Sequence, residues 1–159
     1  MKSYDTPLSE ITLRRYEKPY SLDKRELVRK LCLSLGILSP GDSRDVIVDV
    51  FYVMLSARKE EEMLSSTEIR KRTIELRKNN KLDNSGTAAS NIRRQIKRLR
   101  DVFLVEKIKN EYRITEFAKT QETFQRKIER FLIPNILDRI NTYLETLDKK
   151  FPRDEEKND

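Results

Sequence analysis

Apolar residues recur along this chain with a rhythm that changes, and the changes divide it into elements. From Ser21, Leu27, Leu31 and Leu35 fall four residues apart with Val28 and Cys32 beside them, which predicts a helix ended by Gly36. Pro40-Gly41-Asp42-Ser43 reads as a turn. The next segment, 44–59, is the most hydrophobic. Its Val46, Ile47, Val50, Phe51, Met54 and Leu55 make the wide apolar face of a central core helix. Glu60-Glu61-Glu62 ends it with solvated charge. Ser65-Ser66-Thr67-Glu68 matches a capping box and opens a helix over 66–78, with Ile69, Thr73 and Leu76 on one face. A polar turn, 79–86, follows. Over 87–101 Ala89, Ile92, Ile96 and Leu99 define a narrow inward stripe, and Thr87, Ser90, Arg94, Lys97 and Arg98 point away from it. The period then shortens. Residues 104–115 read as two strands around Lys109-Asn110-Glu111.

From 116 to 150 the helical period returns. Phe117, Phe124, Ile128 and Phe131 have heptad-like spacing, Pro134 interrupts, and Ile136, Ile140, Leu144 and Leu147 continue. The expected organisation is a flexible arm over 1–20, one domain over 21–115, a helical segment over 116–150 and a disordered tail over 151–159. The fold class is mainly α with a small β-hairpin.

Charge sharpens the picture. The 159 residues carry 34 Lys and Arg against 27 Asp and Glu, a net +7. The excess is local: residues 66–86 hold 6 basic and 3 acidic side chains, and 87–115 hold 8 and 3, whereas 116–159 hold 9 and 10. A basic surface attracts polyanions. No uninterrupted apolar run is long enough to cross a bilayer, and the N-terminus lacks a signal-peptide pattern, so no membrane partner and a cytoplasmic location are expected.

Candidate catalytic chemistry is sparse. The chain has no histidine, the usual general base, and its three glycines, Gly36, Gly41 and Gly86, are too scattered for a phosphate-cradling loop. Its single cysteine, Cys32, can form neither an intrachain disulfide nor a zinc cluster. We therefore expect no enzyme, cofactor or metal.

The order helix, capped helix, polar turn, basic helix, hairpin, long helix resembles the winged helix-turn-helix superfamily, in particular MarR-like and PadR-like regulators of archaeal type. The resemblance covers 44–115. It rests on Ser65-Ser66-Thr67-Glu68-Ile69, on Asn91-Ile92-Arg93-Arg94-Gln95-Ile96-Lys97-Arg98-Leu99, and on Leu104-Val105-Glu106-Lys107 with Tyr112-Arg113-Ile114-Thr115. It implies that the third helix enters the major groove, that the wing lies along the backbone or minor groove, and that the long last helix makes a dimer.

Residue chemistry agrees with this assignment. Thr87, Ser90 and Asn91 are small enough for close approach to base edges. Arg94 suits a bidentate pair with guanine, and Asn91 one with adenine. Arg93, Lys97 and Arg98, with Lys107, Lys109 and Arg113 from the wing, suit phosphates, which set affinity and register. The apolar residues of 116–150 (Phe117, Phe124, Ile128, Phe131, Ile136, Ile140, Leu144 and Leu147) are the expected dimer interface. The leading expectation is a homodimeric, sequence-specific regulator of transcription that binds double-stranded DNA. Two readings stay open beside it. One is a replication, plasmid-partition or chromosome-organising protein using the same winged helix; the other is a winged-helix module that binds protein or RNA.

Overall fold

The computed structural model describes residues 4–154 and is mainly helical with one small antiparallel sheet. It forms two compact units, residues 11–124 and residues 4–10 with 125–154.

In the larger unit, α1 (Lys24–Ser34) starts at Asp23, whose carboxylate accepts from the Glu26 N–H at 2.8 Å. Ser21, where the helical pattern opens in the sequence, lies outside the helix. The chain leaves α1 through Gly36 at φ +68°, a left-handed conformation natural to glycine. The N-terminal segment crosses this exit. Arg14 donates its backbone N–H to the Ser34 carbonyl at 2.8 Å and a guanidinium N–H to the Leu33 carbonyl at 3.1 Å. It thereby satisfies the Ser34 carbonyl at the helix end and adds a second donor to the Leu33 carbonyl, which also accepts from the Gly36 N–H at 3.2 Å. Lys30 also pairs with Glu17 at 2.6 Å and sits over the Tyr16 ring. From Ile11 onward the expected flexible arm is thus part of the folded unit, because the end of α1 offers it hydrogen bonds and a counter-charge.

The core is built on α2 (Val46–Lys59). Val46, Ile47, Val48, Val50, Phe51, Val53, Met54 and Ala57 are all buried, so this helix is surrounded rather than half exposed. A short strand, β1 (Leu64–Ser65), runs directly into α3 (Ser66–Asn79). Ser65 caps α3 by accepting from the Glu68 N–H at 3.1 Å. The Glu68 side chain accepts instead from Arg72 at 3.0 Å. After a loop comes α4 (Ala89–Asp101), then β2 (Val105–Ile108) and β3 (Glu111–Ile114). The sheet order is β1-β3-β2, with Leu64 opposite Tyr112 and Val105 opposite Ile114. The hairpin turn is tighter than expected. Glu111 is already in β3, and Lys109 takes the left-handed backbone at φ +57°.

One polar cluster holds α1, α2 and α3 together. Asp49 is fully buried on α2. It accepts from Arg77 of α3 at 2.7 Å and from Arg25 of α1 at 2.9 and 3.1 Å. Asp45 adds contacts to Arg25 at 3.2 Å and to Arg77 at 3.4 Å. Burial opposes the Arg25 charge, but the bonds to Asp49 and Asp45 more than offset this and raise its pKa.

The remaining helical segment does not follow the heptad reading. A 3-10 turn, Thr115–Phe117, and a short α5, Thr120–Thr123, close the larger unit. Phe124–Leu132 is π-helical, with its residues from Gln125 in the smaller unit, and continues into α6 (Ile133–Lys150). Pro134 sits in the first turn of α6. A proline ring crowds the carbonyl four residues earlier, and the wider π-turn there gives it room. The expected tail over 151–159 is described only to Asp154; the rest lies outside the described residues. No helix among the described residues is long and apolar enough to cross a membrane.

Candidate nucleic-acid interface

The candidate interface is set by α4. Ile92, Ile96 and Leu99 are buried to 1% exposure or less, which fixes the rotation of the helix on α2 and α3. The outward side carries Arg94 and Lys97, flanked by Arg93 and Arg100, all exposed. Ser90 is also exposed, at the start of the helix. No side chain caps the first turn, where Ala88 occupies the cap position, and no acid lies in it. The basic side chains are lightly engaged. Arg94 donates to Asn91 Oδ1 at 3.2 Å, and Lys97 pairs with Asp101 at 3.1 Å, both side chains exposed. Such an exposed pair contributes roughly 0.2–1 kcal/mol and yields readily to a polyanion.

The loop before α4 is fastened by two arginines of α3. Arg77 Nε donates to the Asp83 carbonyl at 2.8 Å, and Arg70 Nε donates to the Thr87 carbonyl at 2.7 Å. Asp83 in turn accepts from the Ser85 N–H at 3.1 Å. That bond, reinforced by Arg77, holds the Asp83 carboxyl below its ordinary pKa. The start of α4 therefore has a defined place.

Several expected contacts are differently placed. Thr87 is buried, and its hydroxyl donates to the Asn84 carbonyl at 2.7 Å. It belongs to the loop, because α4 starts at Ala89, two residues later than the periodicity suggests. Ala89, expected on the inward stripe, is exposed for the same reason. Asn91 is half-buried and donates to the Gly86 carbonyl at 2.7 Å, so its amide braces the loop rather than standing free. Arg98 is half-buried beside Gln95. On the hairpin, Lys107 and Lys109 are exposed, with Lys107 over the Tyr112 ring. Arg113 is not a free cation: it pairs with Glu106 at 2.7 Å and stacks on Phe117. The structure thus gathers Ser90, Arg93, Arg94 and Lys97 on one open helix face, with Lys107 and Lys109 on the hairpin. It turns Thr87, Asn91, Arg98 and Arg113 toward structural partners.

The expected dimer residues also divide. Phe117 is half-buried under Arg113, and Phe124 is half-buried. Ile128 is fully buried, so it cannot serve a second copy. The π-helical stretch advances its side chains at a different angle per residue, so a heptad count does not mark one face there. Ile136 is half-buried, whereas Phe131, Ile140, Leu144 and Leu147 are exposed, and no residue of α6 is buried.

Sequence reasoning missed Arg70 and Arg77, the two side chains that position the loop. A signal for Arg77 was present. Ile69, Thr73 and Arg77 are four apart, and all three are buried on α3. Among the described residues no cluster of His, Cys, Asp and Glu could hold a metal. No protein-family model, curated protein or solved structure matches the chain.

Proposed function

We propose that this protein is a sequence-specific, DNA-binding regulator of transcription in which β2, β3 and α4 act as wing and recognition helix. The observation that carries the reading is the α4 surface: one side sunk into the core, the other presenting Arg93, Arg94 and Lys97 to solvent beside the small Ser90. Arg94 reads a guanine, Ser90 lets the backbone come close, and Arg93 and Lys97 meet phosphates together with Lys107 and Lys109 of the wing. The protein acts as a homodimer through α6. There Leu137, Ile140, Leu144 and Leu147 follow the three-four spacing of a helix–helix seam and lie exposed along an 18-residue helix.

Selection from random duplexes, followed by fluorescence anisotropy on the selected site, tests this. A short two-fold-symmetric sequence is expected to emerge. Arg94→Ala should cost ~1–3 kcal/mol on that sequence and relax the preference at one base pair. Lys107→Ala should weaken all duplexes alike and lower the salt slope by about one. Equal binding of selected and scrambled duplexes, or an Arg94→Ala variant with unchanged preference, would refute the assignment. In sedimentation equilibrium, Leu144→Glu should convert a dimer to a monomer.

A further inference from the structure

A concave site lies within the 11–124 unit, and none of its lining residues belongs to α4. It is a cavity of about 440 Å³ between the N-terminal segment, α1, the residue leading into β2, and α5. Leu13, Leu31, Leu104 and Phe124 contribute apolar wall, and Arg14 and Gln121 contribute polar groups. This composition matches small-molecule pockets, which are mostly apolar with a few placed polar groups and span roughly 300–1,000 Å³.

Arg14 decides the class of ligand. Its guanidinium is half-buried, donates one N–H to the Leu33 carbonyl, and has no carboxylate within ion-pair distance among the described residues. A guanidinium has five N–H donors, so several stay available. No residue lining the cavity is acidic. A half-buried cation bordering apolar wall is incompletely solvated and gains most from an anion that also fills the apolar space.

We propose that this cavity binds a small apolar molecule bearing one carboxylate, with the carboxylate on Arg14 and the body against Leu31, Leu104 and Phe124. The site stands independently of whether α4 binds DNA. It nonetheless adjoins α4, because Leu104 follows the end of that helix by three residues and its backbone N–H donates to the Leu99 carbonyl at 3.1 Å. A ligand there would brace the N-terminal segment, α1 and the base of the hairpin against one another.

The test uses the full chain with methyl-labelled leucines, titrated with naphthoate and, separately, with the neutral naphthylmethanol. Naphthoate should shift the Leu13, Leu31 and Leu104 methyl signals and bind about tenfold more tightly than the alcohol. Arg14→Gln should abolish that preference. Arg14→Lys, which keeps the charge, should retain most of it, which separates loss of the cation from loosening of the segment. Leu31→Trp, which fills the cavity from a partly exposed position, should remove binding of both probes. The proposal fails if both probes bind alike, if Arg14→Gln leaves naphthoate affinity unchanged, or if the shifts fall on Leu137, Leu144 and Leu147 of α6. It fails equally if the Leu13 and Leu31 signals move with protein concentration alone, which would make a second copy the occupant.

Discussion

Replacing Asp49 with alanine removes the centre of the cluster that joins α1, α2 and α3. The wild-type carboxylate has no solvent exposure and receives three charge-assisted hydrogen bonds, at 2.7, 2.9 and 3.1 Å. Counted singly, bonds to charged groups at about 1.5–3 kcal/mol each would give a larger loss than the variant should show. Two facts reduce it. Arg25 keeps 17% side-chain exposure and can regain water, and Asp45 still lies 3.4 Å from Arg77. What cannot be recovered is solvation of Arg77, at 5% side-chain exposure. Fully stranding a buried charge costs about 3–5 kcal/mol, and because Arg77 keeps Asp45 at 3.4 Å and Asp83 at 3.3 Å this is the upper bound of the loss expected for Asp49→Ala. Urea unfolding followed by circular dichroism measures it, read as a fall in midpoint at constant slope. Replacing the cluster together, Arg25→Met, Asp49→Leu and Arg77→Met, should recover most of the loss, because apolar side chains of similar volume avoid the desolvation cost. A loss below about 1 kcal/mol for Asp49→Ala, or a triple variant no more stable than the single one, would show that the cluster is solvated and that this reasoning is wrong.

Other consequences are more local. Gly36→Ala drives a Cβ into the Thr12 side chain at a backbone φ of +68°, so the N-terminal segment should detach and exchange of the Arg14 amide should quicken. The left-handed strain alone costs about 1–2 kcal/mol, and unchanged exchange would contradict the described docking. Asp83 has a folded pKa below its usual 3.8, so it stabilises the loop before α4 above that pH, and the contribution is lost as pH falls through the folded value. Amide exchange in residues 80–87 should therefore rise on acidification below about pH 4, and Asp83→Asn should abolish that dependence. Burial pushes the Cys32 thiol up to about 12, so iodoacetamide at pH 8 should leave it unmodified in the folded chain and label it after unfolding.

The elements legible in the sequence are those whose pattern is local. The α2 core run, the Ser65 cap and the stripe of Ile92, Ile96 and Leu99 each announce themselves within one helix, and their burial follows. The hairpin was legible because alternation is visible over eight residues. By contrast, β1 has two residues and pairs with Glu111 and Tyr112, more than forty positions away, so no periodicity reveals it. The Asp49–Arg77 pair was hidden for a related reason. A charge reads as solvated until its partner 28 positions along the chain is known. For the candidate interface, the basic helix and its open side were legible, but individual placements were not. Thr87 and Asn91 are small and polar, which suits base contact and loop bracing equally, and only the start of α4 at Ala89 separates the two. Counting heptads through 116–132 failed because the backbone there is not α-helical throughout.

Ser65 serves two masters at once: it is the strand residue opposite Glu111 and the cap of α3. The hairpin is therefore welded to the helix beginning there, with no spacer to absorb a change in angle. Tilting the one must fray the first turn of the other. Extra residues at the Lys109-Asn110 tip should lengthen the hairpin harmlessly, whereas a single residue inserted after Met63 should unseat strand and helix together.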